Sequence, residues 1–190
     1  GANVNGATQT LEIDYSATNN TLSGDGILIA NVNQNNVSAR SKNLSNYQVK
    51  VLGDGAGGLN ATIGGTDSLE VSDIYEVKAI YNVGTSAPSV TVDGTTGVVT
   101  GMSGETDVTD RYIVDDGQRG EYYDHGGITL SGTAPTTNDY LVVVYKNFTH
   151  SGNGFLSRNS YSVAYEDIPV FTDPATGEET ELRDSIDFRP

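Results

Sequence analysis

Two histidines, His125 and His150, are the first candidates for chemistry in this sequence, which has no cysteine. His125 follows Asp124, and a carboxylate beside an imidazole can orient it for general acid–base catalysis. Adjacent residues on a strand point to opposite faces, so this pair would meet only in a turn. Neither histidine has the short spacing of a zinc site, and no serine lies in a G-x-S-x-G elbow. The favoured interpretation is therefore a structural histidine in a loop.

Four aspartates form the densest group of hard oxygen ligands: Asp107, Asp110, Asp115 and Asp116. Calcium takes six to eight oxygen ligands, so these residues would bind it only if their loops converge. Aspartate is also common at turns, where its carboxylate accepts hydrogen bonds from the backbone. Solvated turn caps are the favoured interpretation. We predict no cofactor and no metal site, with calcium left as the alternative.

A glycine-rich stretch, Gly53-Asp54-Gly55-Ala56-Gly57-Gly58, matches the G-x-G-x-x-G spacing of dinucleotide-binding loops. That chemistry needs a helix directly after the glycines, so that its N-terminal amides can hold a pyrophosphate. The residues that follow here contain further glycines and no helical pattern. The stretch therefore predicts a flexible hairpin loop.

The elements that must position these residues are strands, because alternating and β-branched runs recur while helical periodicity is nearly absent. Glycine and asparagine turns separate the runs. Strands are predicted at residues 10–15, 26–32, 37–42, 47–52, 74–81, 89–92, 98–100, 111–114, 127–130, 140–147 and 161–164. Residues 140–145, within the strand predicted at 140–147, are the most apolar run and predict a buried central strand. The pattern predicts an all-β fold, as a β-sandwich of immunoglobulin-like or jelly-roll type.

Composition excludes several functional classes. The 190 residues carry a formal net charge of -15, which disfavours binding to nucleic acid or to an anionic membrane surface. No apolar run approaches the ~20 residues of a membrane span, so no membrane insertion is predicted. The absence of cysteine excludes disulfide bonds and thiolate metal sites.

A shift in composition near residue 70 suggests a division of the chain. Residues 1–70 predict a small module or insertion rich in glycine and asparagine, and residues 71–165 predict the sandwich core. Residues 166–190 contain two proline turns, which predict an extended linker with at most a short helical turn. The Asp-Phe-Arg-Pro ending is typical of a cut between modules, so we expect a fragment.

Three separated blocks carry a resemblance to a known family. The first contains Asp115, Asp116, Gly117, Gln118, Arg119, Tyr122, Tyr123, Asp124 and His125. The second is an apolar strand leading to Phe148-Thr149-His150-Ser151, and the third contains Arg183, Asp184, Asp187, Phe188 and Arg189. Together, over about residues 105–190, they resemble a segment of large virion structural proteins of tailed phages, notably cyanophages and other myoviruses.

The resemblance implies a tail-fibre or baseplate-associated protein that acts as a spacer or adaptor in assembly and host attachment. It implies a virion tail location after assembly in the host cytoplasm, other virion or tail proteins as partners, and a homo-oligomer in the full-length protein. It implies no catalytic residues, so we predict that the chain is not an enzyme.

The motif residues also allow physical expectations. Arg119 can fork to a carboxylate such as Asp115 or Asp124, because its guanidinium matches two carboxylate oxygens. Tyr122 and Tyr123 are expected to pack beneath a sheet. Arg183 and Arg189, which alternate with Asp184 and Asp187, are expected to tie the C-terminal segment to this module or to its successor.

Two other functions stay open at this point. A carbohydrate-binding adhesin module, with a host surface glycan as partner, would expose tyrosines beside Asp and Asn in loops. A glycan depolymerase or esterase would use Asp, Glu and the two histidines, since paired carboxylates for glycoside hydrolysis are defined by a spatial separation that sequence does not give.

Overall fold

The protein is described by a computed structural model, which covers residues 38–189 and the backbone of two short strands near the N-terminus. The all-β fold is confirmed, because the ordered elements are antiparallel strands and short 3-10 turns. The strands are β1 Ala2–Asn5, β2 Thr10–Ile13, β3 Ser41–Leu44, β4 Gln48–Leu52, β5 Thr66–Ser72, β6 Ile74–Asn82, β7 Thr91–Val92, β8 Val99–Thr100, β9 Thr106–Asp107, β10 Tyr112–Asp115, β11 His125–Leu130, β12 Leu141–Ser151, β13 Val170–Thr172 and β14 Glu179–Glu181. The 3-10 turns are Thr109–Arg111, Arg158–Ser160, Tyr165–Asp167 and Leu182–Asp184.

The chain divides into two compact units, Gly1–Asn35 and Asn36–Pro190. In the first, β1 and β2 pair antiparallel. The boundary expected near residue 70 instead falls inside the second unit, where β4 pairs with β12 and β5 pairs with β11. The composition shift near residue 70 therefore follows surface charge and not a change of fold.

β12 is the centre of the larger sheet. Its first half pairs with β4 on one side and β6 on the other, and its second half pairs with β3. Leu141, Val142, Val143 and Val144 have no exposed surface, which confirms the buried central strand predicted at residues 140–147. A nearly continuous apolar run suits this position, because neighbouring structure covers both faces of the strand.

A second sheet, in the order β10-β11-β5, shares its apolar core with the larger one. Ile128 and Leu130 of β11, with Leu69 of β5, pack in one cluster with Ile80 of β6 and Val143 of β12. Burial of these aliphatic side chains is the main stabilising contribution, at about 1.5–3 kcal/mol for each one fully buried. The immunoglobulin-like or jelly-roll classification stays a prediction.

The C-terminal segment folds back onto the second unit instead of forming an extended linker. β13 and β14 form a hairpin across the turn that begins at Asp173, and Leu156 and Asp187 exchange two backbone hydrogen bonds of 2.7 and 2.9 Å. Phe171 and Leu182 join Phe148 of β12 in a second apolar cluster. The short turn expected in this segment is present as the 3-10 turn Leu182–Asp184.

Strand predictions differ from the structure in several places, and β1, β9, β13 and β14 were not predicted. Residues 161–164 form no strand, and they follow the 3-10 turn Arg158–Ser160. β5 was missed, because its mixture of acidic, hydroxyl and apolar residues shows no clear alternation. The strand predicted at residues 26–32 lies outside the described residues.

Candidate functional site: a buried ionic cluster

Seven polar side chains from five parts of the second unit meet in one interior cluster, which we call the Lys42 cluster. Its members are Lys42 of β3, Asp73 between β5 and β6, Gln118 and Tyr123 between β10 and β11, His150 of β12, and Asp187 and Arg189 after the last 3-10 turn. Because the chain separates them widely, only the tertiary fold brings them together.

The centre of the cluster is an ion pair without access to solvent. Lys42 Nζ lies 2.9 Å from Asp73 Oδ2, and the two side chains are 0% and 1% exposed. Burial lowers the pKa of Lys42, and the attraction of Asp73 opposes that shift without cancelling it. Removing two charges from water is costly, so the pair must be held by further polar contacts.

Backbone hydrogen bonds fix Asp73 in place. Its carbonyl accepts a hydrogen bond of 2.9 Å from Phe148 N, and the next residue, Ile74, donates one of 2.9 Å to Asp116 O. Asp73 also has a positive φ of 56°, which non-glycine residues rarely adopt. Strain of this kind costs about 1–3 kcal/mol and persists only where the surroundings hold the residue.

His150 and Gln118 each contact one of the two carboxylate oxygens of Asp73. His150 lies directly opposite Lys42 in the β3–β12 register, and its Nε2 contacts Asp73 Oδ2. Gln118 Nε2 donates to Asp73 Oδ1 at 3.2 Å. Arg40 Nη2 donates to His150 Nδ1 at 3.2 Å, and this bond leaves the proton of a neutral imidazole on Nε2, facing Asp73.

Tyr123 links the ion pair to the C-terminal segment. Its hydroxyl accepts hydrogen bonds from Lys42 Nζ at 2.7 Å and Arg189 Nη2 at 3.1 Å, and it donates to Asp187 Oδ2 at 2.6 Å. Burial raises the pKa of Tyr123 well above its usual range, and its hydrogen bond to Asp187 adds to that shift. Tyr123 is therefore held as a neutral phenol.

Asp187 and Arg189 close the cluster. Arg189 Nε and Nη2 bind the two oxygens of Asp187 at 3.0 and 2.9 Å, in the fork geometry that guanidinium favours. Arg189 also donates to Arg119 O at 2.8 Å and to Gln118 Oε1 at 3.1 Å. Burial alone would raise the pKa of Asp187, but the hydrogen bonds from Arg189 and Tyr123 lower it below its usual value.

Aromatic rings surround the lysine ammonium. Lys42 Nζ lies 4.4 Å from the ring centre of Tyr123, 5.0 Å from that of Tyr161 and 5.7 Å from that of Phe148. Tyr161 and Phe148 pack edge to face against one another. The rings attract a cation and also exclude water from it. A surface depression beside the cluster is lined by Arg40, Tyr123 and His150, among others.

The first motif block forms a tight turn next to the cluster. Asp115 Oδ1 accepts from Gly117 N at 2.9 Å, and Asp116 Oδ1 accepts from Gln118 N at 2.8 Å. Arg119 forks to the two oxygens of Asp115 at 2.8 and 2.7 Å, which confirms the predicted fork. These bonds lower the pKa of Asp115 below its usual value.

Other predicted motif residues lie outside the cluster. Tyr122 was expected beneath a sheet, but it is 48% exposed, because only Tyr123 of this pair points inward. Phe188 is 70% exposed beside Phe155. Arg183 pairs with Glu181 at 2.9 Å, and Asp184 accepts a hydrogen bond from Tyr165 Oη at 3.0 Å. Only Arg189 and Asp187 of this block tie the C-terminal segment to the cluster.

Asp124 and His125, weighed above as a catalytic dyad and not favoured, do not form one. Asp124 Oδ1 accepts its hydrogen bond from the backbone N of His125, at 2.8 Å, and both residues are exposed. The expectation that the histidines lie in loops was also wrong. His125 begins β11 and His150 lies near the end of β12.

The acidic turn residues act as backbone caps. Asp107 Oδ1 accepts from Thr109 N and Oγ1 at 3.0 and 2.6 Å, in the same manner as Asp115 and Asp116. Asp54, in the glycine-rich loop, accepts from Ala56 N and Gly58 N, and no helix follows it. Within the described part of the chain, no group of three His, Asp or Glu side chains is placed to hold a metal ion.

Sequence reasoning missed Lys42 and Asp73, the two residues at the centre of the cluster. Lys42 lies in a short polar strand, Ser-Lys-Asn-Leu, and charged residues are almost never fully buried unless they are paired. Neither residue lies in a recognisable sequence motif, since Lys42 follows Arg40 by two residues and Asp73 lies between Glu70 and Glu76.

Comparison of the chain with protein-family models, with curated proteins and with solved structures found no match. The resemblance to tailed-phage virion proteins therefore stays a prediction. Among residues 38–189 and the two N-terminal strands, no helix has the length and apolar character needed to cross a bilayer.

Proposed function

We propose that the chain is a structural module of a tailed-phage virion protein, associated with the tail fibre or baseplate, and that it acts as a rigid spacer or adaptor. One observation carries the proposal: the three sequence blocks that resemble such proteins all contribute to the Lys42 cluster. Gln118 and Tyr123 come from the first block, His150 from the second, and Asp187 and Arg189 from the third.

The contacts within the cluster favour a positioning role for these residues. Arg189 directs its donors to Asp187, Gln118 and Tyr123 and to the carbonyl of Arg119, all within the same unit. Polar groups that bind one another in a buried network rigidify a fold and specify one arrangement of it. A module that transmits force or holds spacing between neighbours needs that rigidity.

Surface charge fits the same role. The formal net charge of -15 keeps a particle protein soluble and disfavours contact with nucleic acid. Partner virion proteins would then be recognised by shape and by paired charges rather than through a basic patch.

Immunogold labelling tests the proposal directly. Antibodies raised against residues 38–189 should label the tails of intact particles of the phage that encodes the chain, and should leave heads unlabelled. Purified particles without label, in a preparation where an antibody to a known tail protein does label, would overturn the proposal.

One observation favours a glycan-binding adhesin as the second candidate. Tyr122 is 48% exposed and lies between the exposed residues Glu121 and Asp124, a combination that suits stacking on a sugar ring and hydrogen bonding to its hydroxyls. Binding on a glycan array that Tyr122→Ala abolishes, while Tyr165→Ala retains it, would support this candidate. A glycan array without signal would remove it.

A further inference from the structure

We propose that Lys42 and Asp73 become joined by an intramolecular isopeptide bond, formed by condensation of the lysine amine with the aspartate carboxyl group. The bond would link β3 to the turn between β5 and β6 inside the second unit. This inference rests on the geometry of the Lys42 cluster and goes beyond the proposed virion role, which neither requires it nor depends on it.

The two reacting groups are already in contact. Lys42 Nζ lies 2.9 Å from Asp73 Oδ2, so the carbon to be attacked is one covalent bond beyond that contact. Reacting groups held at about 3–3.5 Å gain a large rate advantage over free reactants, because their approach has already been made. The backbone bonds at Asp73 and the β3–β12 pairing at Lys42 hold both groups in this position.

Condensation needs both groups in their neutral forms. A charged lysine is not a nucleophile, and a carboxylate does not lose oxygen, so the reaction requires an amine and a carboxylic acid. Burial lowers the pKa of Lys42, whose side chain is 0% exposed. One proton moving from Lys42 Nζ to Asp73 along their contact then gives both neutral groups at once.

The two oxygens of Asp73 are supported in different ways, as the reaction requires. Attack of Nζ on Cγ places negative charge on Oδ1, which already accepts a hydrogen bond from Gln118 Nε2 at 3.2 Å. Oδ2 must leave as water, and the Nε2–H of neutral His150 donates a hydrogen bond to that same atom. His150 is therefore placed to hold Oδ2 while this oxygen takes its second proton from Nζ, and Gln118 is placed as the oxyanion donor.

The atoms balance without any further reactant. The new bond joins Lys42 Nζ to Asp73 Cγ, and the bond between Cγ and Oδ2 breaks. Oδ2 leaves as one water molecule, with one proton from the carboxylic acid and one from the amine. The product is an amide, so nothing is oxidised or reduced.

The surroundings favour the amide over its hydrolysis. The rings of Tyr123, Phe148 and Tyr161 cover Lys42 Nζ at 4.4–5.7 Å and keep bulk water away from the new bond. The released water can leave past His150, whose side chain is 15% exposed and lines the surface depression.

A second Lys–carboxylate pair on the same unit provides an internal control. Lys50 contacts Glu70, but these side chains are 30% and 68% exposed. Water solvates both charges there, so that pair should remain ionic.

Mass spectrometry of the purified chain tests the bond. We expect an intact mass lower than the sequence mass by about 18 Da, one water molecule, because condensation removes it. Lys42→Arg and Asp73→Ala should each show their full sequence mass, while Lys50→Arg should retain the loss. Wild-type protein at its full sequence mass would overturn the proposal.

Peptide sequencing separates the bond from other losses of water, such as succinimide formation at the Asp-Gly sites. Trypsin cuts after Arg40, Lys50 and Lys78, so a linked digest yields a branched peptide of residues 41–50 and 51–78. Its first sequencing cycle should release Ser41 and Val51 together, and trypsin should not cut after Lys42. The proposal would be overturned if these two segments were recovered as separate linear peptides and the loss of one water molecule were found in another peptide.

The role of His150 gives a further readout. When newly synthesised protein is sampled at successive times, the His150→Ala variant should form the bond more slowly than the wild type. The His125→Ala variant should follow the wild-type time course. Bond formation at the wild-type rate in His150→Ala would contradict the role assigned to His150.

Discussion

The second unit contains two lysine–carboxylate pairs whose local geometry is similar and whose surroundings are opposite. Lys42–Asp73 and Lys50–Glu70 each join a lysine from a neighbouring strand to an acidic residue at the end of β5 or just after it. Both acidic residues have positive φ, at 56° for Asp73 and 58° for Glu70. The first pair is buried and the second is exposed.

The difference shows that burial, and not the contact itself, determines how strongly the stability of the fold depends on such a pair. An exposed pair gains little, since water solvates each charge almost as well as the partner does. A buried pair has no such alternative, so the loss of one partner leaves a charge with no solvent and no counterion. The polar residues gathered around Lys42 are what that burial requires.

The largest expected effect comes from breaking the buried pair. Lys42→Ala leaves Asp73 at 1% exposure without its partner, whether that partner is held by charge or by the proposed bond, and should lower the free energy of unfolding by about 3–5 kcal/mol. Urea denaturation followed by tyrosine fluorescence measures the change. A loss below about 1 kcal/mol would mean that His150 and Gln118 alone satisfy Asp73.

A smaller loss is expected from the turn that delivers Gln118 and Tyr123 to the pair. Gly117 has φ of 81°, and a Cβ there would lie 2.4 Å from Asp124 O, so Gly117→Ala should cost about 1–3 kcal/mol or more. Gly104→Ala is the matched control, because its φ is 69° and nothing lies within 4 Å. Equal losses of stability in the two variants would show that the structure around Gly117 moves enough to accommodate the added Cβ.

Alkaline pH should weaken the buried cluster. Burial raises the pKa of Tyr123 above its usual value of 10.0, so the folded state keeps a proton that the unfolded state releases. The stabilisation is complete below pH 10 and decreases as pH rises above that value. Denaturation midpoints measured from pH 9 to 11 should fall for the wild type and fall less steeply for Tyr123→Phe. If the denaturation midpoints of the two proteins fell equally with pH, other tyrosines would be responsible for the loss of stability at alkaline pH.

The smallest effect is expected at the exposed pair. Lys50→Ala should leave the denaturation midpoint within experimental error, because its partner Glu70 is solvated with or without the lysine. A loss comparable to that of Lys42→Ala would contradict the distinction between the two pairs.

The sequence predicted the parts of the fold that local pattern determines. The apolar run at residues 140–145 predicts a buried strand, and Leu141–Ser151 is that strand. The turn at Asp115 and the fork of Arg119 follow from residue type and short spacing, and the structure contains both. These features depend on neighbours in the chain.

The Lys42 cluster was not predictable in the same way. Tyr122 and Tyr123 are identical residues in sequence, yet one is exposed and the other contacts Lys42, Asp187 and Arg189. Their difference arises from which face of a loop meets the interior. Lys42 itself is a charged residue in a polar strand, and its complete burial is set by β12 and the C-terminal segment.

The members of the Lys42 cluster lie far apart along the chain, which determines when in folding the cluster can form. Arg40 donates to the carbonyl of Arg189 across 149 residues, and Tyr123 bonds Asp187 across 64. Contacts between such distant residues form late and slow the folding of a domain. During synthesis, Lys42 and Asp73 leave the ribosome long before Asp187 and Arg189, so the Lys42 cluster can close only after residue 189 has emerged. A chain truncated before Asp187 would therefore leave Tyr123 without its acceptor.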